Sequence, residues 1–431
     1  MARIVVVGGG WAGCAAALAA RQAGADVVIL ERSDSLLGTG LVGGIMRNNG
    51  RYTAAEEMIA LGGGDLFQVC DRTARHRNLD FPGHRHASLY DVAWIEGNVR
   101  RHLLDAGIEI WLHARVNGLQ RSADRIAQVV LENGTAIDGD VFVDATGSFG
   151  PQSFCAEFGN GCAMCIMRCP TFGPRVSVTG LAGIAEKRGR RGDGSIGAMS
   201  GSCEFSKDTM DPRLVQELEH RGVLVIPLDA ELVDEDKLKG KACQQYALVD
   251  YARNVVLLDT GRVKLMTSHM PLDQLRRVPG LANVRYDDPY AATIGNSMRY
   301  AALSPRDDAM RVHGVANLFC GGEKAGLLVG HTEAIVTGSL AGHNAVRHAA
   351  GRDLLELPES LAVGDAIAHV RRRMQTETGM CEKYTFSGAG YFRRMQERGL
   401  YTTDDDAIRA RVAATGLAGV MARPVEERKA A

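Results

Sequence analysis

The chain has 431 residues, more than the roughly 100–200 that one core usually serves, so two or three packed units are expected. Apolar residues make up 45% and charged residues 23%, which suits a sizeable buried core, and 50 Lys plus Arg against 51 Asp plus Glu leave a net charge of -1. Such a balance excludes a whole-molecule field that would draw in nucleic acid or an anionic membrane, and no apolar run reaches the about 18 residues of a membrane span.

Residues 3–7 are a β-branched run that reads as a buried parallel strand and ends in Gly8-Gly9-Gly10-Trp11-Ala12-Gly13. The run leads into a glycine turn instead of a cleavage site, so a secretory leader is not expected and the cytoplasm is the expected location. An Ala- and Leu-rich helix follows over 14–23, stops at Gly24, and gives way to a second strand over 26–30 closed by Glu31. Gly8, Gly10 and Gly13 stand at the G-x-G-x-x-G spacing between strand and helix, with Glu31 18 residues beyond Gly13 and Arg32 after it. In that pattern Gly8 permits the tight turn, Gly10 lets the backbone approach a pyrophosphate, and Gly13 lets helix and strand pack closely. Glu31 is placed for an adenosine ribose, and Trp11 is expected to cover the pyrophosphate.

Glycine recurs over 34–64, which reads as loop with helix resuming at 54–61. Helical spacing returns over 91–106. Short β elements at 109–112, 118–121, 126–131 and 135–137 suggest a small antiparallel insert before the buried strand 141–144 and its Ala145-Thr146-Gly147. From 150 to about 311 the texture is mixed, with strands at 223–227, 254–259 and 262–266. A last buried strand at 315–320 turns at Gly321-Gly322, the helix 333–349 carries a small-residue face suited to a sheet, and the final eighty residues read as helices.

Two segments separate a flavin from a nicotinamide site by resemblance. Asp140-Val-Phe-Val-Asp144-Ala-Thr-Gly147 resembles the strand that returns under FAD in flavoproteins of the glutathione-reductase-like superfamily. Val315-Ala-Asn-Leu-Phe-Cys-Gly-Gly-Glu323-Lys-Ala-Gly is similar to their late motif, whose acidic or amide residue meets the flavin ribityl chain. The continuation, Gly330-His-Thr-Glu333-Ala-Ile-Val-Thr-Gly338-Ser-Leu-Ala-Gly342, resembles GidA-type and folate-dependent tRNA-modifying flavoproteins, in which this helix N-terminus faces the isoalloxazine. Those proteins carry AGQ where this chain has Gly321-Gly322-Glu323. The resemblance implies an α/β fold: a Rossmann-type FAD-binding unit from 1–150 and 311–351, an inserted α+β substrate or cap unit at 151–310, and a helical C-terminal region at 352–431. It places Ala145, Gly147, Gly322, Glu323 and Gly330 against FAD, and His331 and Glu333 as proton donors or turn caps at the flavin. No second dinucleotide fingerprint occurs in the middle of the chain.

Ten cysteines are too dilute for a disulfide scaffold, yet four crowd together as Cys155-x6-Cys162-x2-Cys165-x3-Cys169-Pro170 directly after the ATG strand. The last three and the proline match half of a bacterial ferredoxin run, so these thiolates can wrap a [4Fe-4S] cluster. Cys162 and Cys165 alone can form a redox disulfide facing flavin. Zinc held by the same thiolates, or plain buried thiols, are the other readings.

Arg168 and Arg175 flank this run and can bind an acidic substrate, while His269, Asp287 and Asp288 read as loop residues. The basic stretch 187–192 has no interleaved aromatic platform and reads as a solvated loop. Cys381 and Tyr384 reach the site only if the C-terminal part folds back. The sequence therefore points to an FAD-dependent oxidoreductase that passes electrons between a small-molecule or protein substrate and the Cys155 to Cys169 centre, with an electron-transfer protein or a second copy as partner. The alternatives are a flavin-dependent RNA-modifying enzyme and an FAD-binding subunit without its own turnover. Nucleic acid and membrane are not the expected partners.

Overall fold

The first apolar run becomes the centre of a parallel sheet. In the computed structural model, which describes residues 1–147, 176–190, 194–195, 198–199, 203–240, 244–267, 270–287, 298–299 and 301–426, β1 (Arg3–Val7) lies between β2 (Asp26–Leu30) and β10 (Val141–Asp144). The edges are β6 (Glu109–Trp111), beside β2, and β19 (Leu318–Cys320), beside β10. All four pairings are parallel, and Ile4, Val5 and Val6 are wholly buried, as a strand covered on both faces requires. This is the Rossmann-type arrangement, with α1 (Trp11–Gln22) crossing from β1 to β2.

α2 (Gly50–Leu61), α3 (Asp65–Arg72) and α4 (Ile95–Asp105) follow, and α5 (His331–Ala349) lies across α1. The glycine face of α5, expected on a sheet, meets α1: a Cβ at Gly338 would sit 2.2 Å from the Ala12 carbonyl oxygen, and one at Gly342 2.0 Å from that of Ala16. The two helices approach at backbone distance because neither carries a side chain at the crossing.

The expected antiparallel insert is β7 (Val116–Ser122), β8 (Arg125–Leu131) and β9 (Ala136–Asp138). β6, expected to belong to it, instead extends the parallel sheet, with Ile110 opposite Ile29. A second antiparallel sheet was not expected: β3 (Ile45–Met46), β4 (Ala74–Phe81) and β5 (His84–Tyr90). β4 is largely polar, and the β4–β5 register breaks repeatedly with Asn78 and His86 at positive φ, so no period-2 signal survives in the sequence.

Two short pairings frame the middle of the chain, β11 (Lys187–Arg188) with β18 (Ala302–Leu303) and β12 (Ala198–Met199) with β17 (Met298–Arg299). Between them a four-stranded sheet runs in the order β13-β16-β15-β14, from β13 (Cys203–Phe205), β14 (Val223–Pro227), β15 (Asn254–Asp259) and β16 (Val263–Leu265). Side chains alternate along β15: Val255 and Leu257 face one apolar core, while Val256 and Leu258 face another shared with Ile45, Ala87 and Leu89. That alternation stacks the inserted sheet on β3 and β5.

α6 (Ala362–Arg373), α7 (Ala389–Glu397) and α8 (Asp405–Ala414) close over the body, and their Ile367, Tyr391 and Val412 join the core of the parallel sheet. No helix among the described residues is long and apolar enough to cross a membrane.

Candidate functional site

The glycine turn at the carboxyl end of β1 is shaped by close approaches. Gly8 has φ +100°, and a Cβ there would lie 2.5 Å from the Ala145 carbonyl oxygen. A Cβ at Gly13 would lie 1.8 Å from the Gly8 carbonyl oxygen, so strand and helix touch through it. Gly10 differs, because a Cβ there meets nothing within 4 Å. As N-cap of α1 it supplies no side-chain cap, which leaves the first-turn N–H groups directed at open space, the arrangement that suits a pyrophosphate.

Glu31 braces this turn. Its Oε2 accepts from Gly9 N at 2.7 Å, and its Oε1 accepts from Ser33 N at 2.9 Å and Ser33 Oγ at 2.8 Å. A carboxylate offers about four acceptor positions. Three are engaged, so capacity for a ribose hydroxyl remains. Arg32 is half-buried beside it.

Three rings from distant parts of the chain meet above the turn. Trp11 stands edge-on to Tyr90 at 5.9 Å and tilted to His331 at 6.2 Å, and Tyr90 lies 6.4 Å from His331. Gly40 and Gly43 admit them: a Cβ at Gly40 would be 2.4 Å from Trp11 Nε1, and one at Gly43 1.7 Å from His331 Cε1. Thus the glycine loop does lie against the site, and Trp11 packs with Tyr90 and His331. From the inserted sheet, Lys264 on β16 donates to the Val42 carbonyl, with Glu204 of β13 3.9 Å from its Nζ.

The start of α5 is built around Glu333, whose side chain is wholly buried. It pairs with Arg51 at 3.2 Å and accepts from Thr385 Oγ1 at 2.6 Å and Phe386 N at 2.8 Å. Arg51 also reaches Asn48 Oδ1 at 3.2 Å. The neighbouring His84 accepts at Nδ1 from Asn48 Nδ2 at 3.0 Å and donates from Nε2 to the Gln245 carbonyl at 3.1 Å. Burial, and then the Arg51 charge, push its pKa down to about 3, so the ring is neutral with its proton on Nε2.

Asp144 is a second hub. Its Oδ1 accepts from Thr146 N and Oγ1 at 3.2 and 2.6 Å, and its Oδ2 from Thr179 N and Oγ1, both at 2.8 Å. Beside it the buried Lys324 pairs with Glu186, which also accepts from Ser177 Oγ at 2.6 Å. Hence both flanks of segment 148–175 are fastened at the end of β10.

A family model described as glucose inhibited division protein A matches residues 3–223 and 231–353. The chain belongs to the glucose inhibited division protein A (GidA) family. Membership makes it an FAD-binding flavoprotein and an enzyme of oxidoreductase type. Among solved structures, it is similar in fold to Aquifex aeolicus GidA in crystal form II (TM-score 0.64, 16% identity, covering 96% of this chain and 73% of that one). Form I gives a TM-score of 0.61 at 15% identity, covering 96% and 75%. No curated protein matches the chain.

For this GidA-family chain the structure brings together Gly8, Gly10, Trp11, Gly13, Glu31, Ala145, Gly322 and His331. Gly322 packs on α1, where its Cβ would lie 2.8 Å from that of Ala12, and its N–H donates to Thr337 Oγ1 at 2.8 Å. Gly147 closes the described part of the ATG strand, Glu323 is half-buried in the turn after Gly322, and Gly330 is the N-cap of α5. Cys155, Cys162, Cys165, Cys169, Arg168, Arg175, His269 and Asp288 lie outside the described residues. Among the described residues no group of three or more His, Cys, Asp or Glu can hold a metal. Asp287 pairs with Arg262. The C-terminal part does fold back: Val329 N donates to the Tyr384 carbonyl at 2.9 Å, while Cys381 Sγ donates to the Glu377 carbonyl at 3.4 Å on its own helical turn. Tyr90, Arg51, His84, Lys264 and Lys324 were not anticipated. Their strands or loops gave no motif, and a buried Lys or Arg looks like a surface one until its partner is placed.

Proposed function

We propose that this chain is an FAD-dependent RNA-modifying enzyme. The supporting observation is membership of the GidA family, whose resemblance to tRNA-modifying flavoproteins starts at the α5 motif, over a match that runs through both halves of the parallel sheet. The fold likeness to GidA across 96% of the chain agrees with it. Bound FAD supplies a two-electron acceptor and donor.

In this reading Gly8, Gly10 and Gly13 admit the pyrophosphate to the first turn of α1, and Glu31, with Arg32 beside it, takes the adenosine ribose. Ala145, Gly147, Gly322 and Glu323 follow the ribityl chain, and Gly330 and His331 meet the ring system. Residues 1–150 with 311–351 form the cofactor unit, 151–310 receive substrate, and 352–431 brace the cofactor unit. The test is purification of the full chain with analysis of released flavin and of retained RNA, followed by nucleoside analysis of tRNA from cells lacking the gene. An unchanged set of modified nucleosides, from cells whose protein carries full FAD, would sink the RNA assignment.

A second reading, in which the flavin exchanges electrons with Cys162 and Cys165 or an iron–sulfur centre at Cys155 to Cys169, draws on the fastening of residues 146 and 179 to Asp144. Iron analysis and thiol counts before and after reduction decide it.

A further inference from the structure

The Tyr90–His331 contact carries a proton assignment. Tyr90 has one hydroxyl proton, and its Oη lies 2.7 Å from the Gly40 carbonyl oxygen, an atom that only accepts. The same Oη lies 3.3 Å from His331 Nδ1. With its proton engaged by Gly40, the phenol can only accept from the imidazole, so the ring proton belongs on Nδ1. Burial pushes the Tyr90 phenol far up, so it remains a neutral group in ordinary solution. The ring cannot turn away to escape the assignment. A Cβ at Gly43 would lie 1.7 Å from His331 Cε1 and 2.5 Å from its Nδ1, so the loop presses that edge, and Trp11 lies beside the ring, tilted 39° to it.

We propose that Tyr90 is a positioning residue that holds His331 in the Nδ1–H tautomer and makes Nε2 the atom through which His331 takes up and returns a proton at the flavin. The proposal rests on the reading that the α5 N-terminus meets the flavin ring. Proton uptake at Nε2 converts the neutral ring to the cation while Nδ1–H keeps its bond to Tyr90, and release restores the starting tautomer, so nothing else must move. The opposite tautomer would leave two acceptors, Oη and Nδ1, facing each other.

The test is a long-range proton–nitrogen correlation spectrum of the FAD-loaded, histidine-labelled full chain, with the His331 signals identified by their absence in His331→Asn. The expected wild-type pattern has a protonated Nδ1 and an unprotonated Nε2. Tyr90→Phe should lose that preference while keeping its FAD. Reduction of the bound flavin with dithionite should move the Nε2 signal toward its protonated position and leave Nδ1 in place. A wild-type Nε2–H pattern overturns the tautomer assignment, even if Tyr90→Phe fails to fold. A Nε2 signal indifferent to flavin reduction overturns the proton role. Protein that shows the expected tautomer but binds no FAD refutes the cofactor reading instead.

Discussion

Glu333 and Arg51 form an ion pair of 3.2 Å in which neither side chain is more than 6% exposed, and it joins the first residue turn of α5 to α2 and to the returning segment at Thr385. Gly330 is required beside it, since a Cβ there would lie 2.1 Å from both Arg51 Nη2 and Glu333 Oε2. The pair therefore acts as the keystone between the two ends of the chain.

Removing one partner of such a pair leaves the other charge buried without compensation, which costs about 3–5 kcal/mol. Glu333→Gln keeps the shape and removes the charge, so it should lower thermal stability by that order and loosen FAD. A melting temperature equal to the wild type would show that the pair contributes nothing to the fold.

Gly10 and Gly13 separate cofactor binding from folding. Gly10→Val projects into space that no protein atom occupies within 4 Å, so the variant should fold with wild-type circular dichroism and fail to retain FAD. Gly13→Val drives a Cβ into the Gly8 carbonyl oxygen at 1.8 Å, so backbone must shift, and the loss should exceed the about 1–3 kcal/mol of ordinary overpacking. Yellow, fully loaded Gly10→Val protein would remove the pyrophosphate from this turn.

What the sequence discloses and what it hides follow from range. β1, β2 and β10 are apolar runs buried on both faces, and the turn chemistry at Gly8 to Gly13 is local, so both are readable from neighbours alone. β6 was assigned to the wrong sheet because three residues carry no period, and only the partner strand decides. β4 hides because its polar residues and bulges belong to a rim. Tyr90 lies 241 positions from His331 and Arg51 282 from Glu333, so no spacing rule can join them.

His84 gives a pH-dependent contribution of known sign. Its folded pKa is held down at about 3, while an unfolded histidine titrates near about 6.5. Between those values the unfolded chain binds the extra proton, so the stability His84 contributes is complete above about pH 6.5 and declines by about 1.4 kcal/mol per pH unit as pH falls. Urea unfolding of wild type and His84→Gln at several pH values isolates the term. The gap between the two proteins should shrink from pH 7 to pH 5, and a constant gap would show that His84 is not held neutral by the fold.

Lys324 and Glu186 are a stricter case, because the lysine is wholly buried and its partner nearly so. Its Nζ also donates to the Ala302 carbonyl at 3.3 Å, and Glu186 takes the Ser177 hydroxyl, which ties β18, the turn after Gly322 and the return of the chain at Ser177 into one knot. Lys324→Met strands a carboxylate in a dry site and should cost about 3–5 kcal/mol, whereas the double variant Lys324→Met with Glu186→Leu should recover most of it, since a well-packed apolar pair often equals a buried ionic one. A double-mutant cycle by denaturant unfolding measures the coupling. If the two single losses simply add, the pair is not the unit the geometry describes. If the double variant recovers stability but loses FAD, the knot serves to hold Gly322 and the end of β10 in the spacing the cofactor needs.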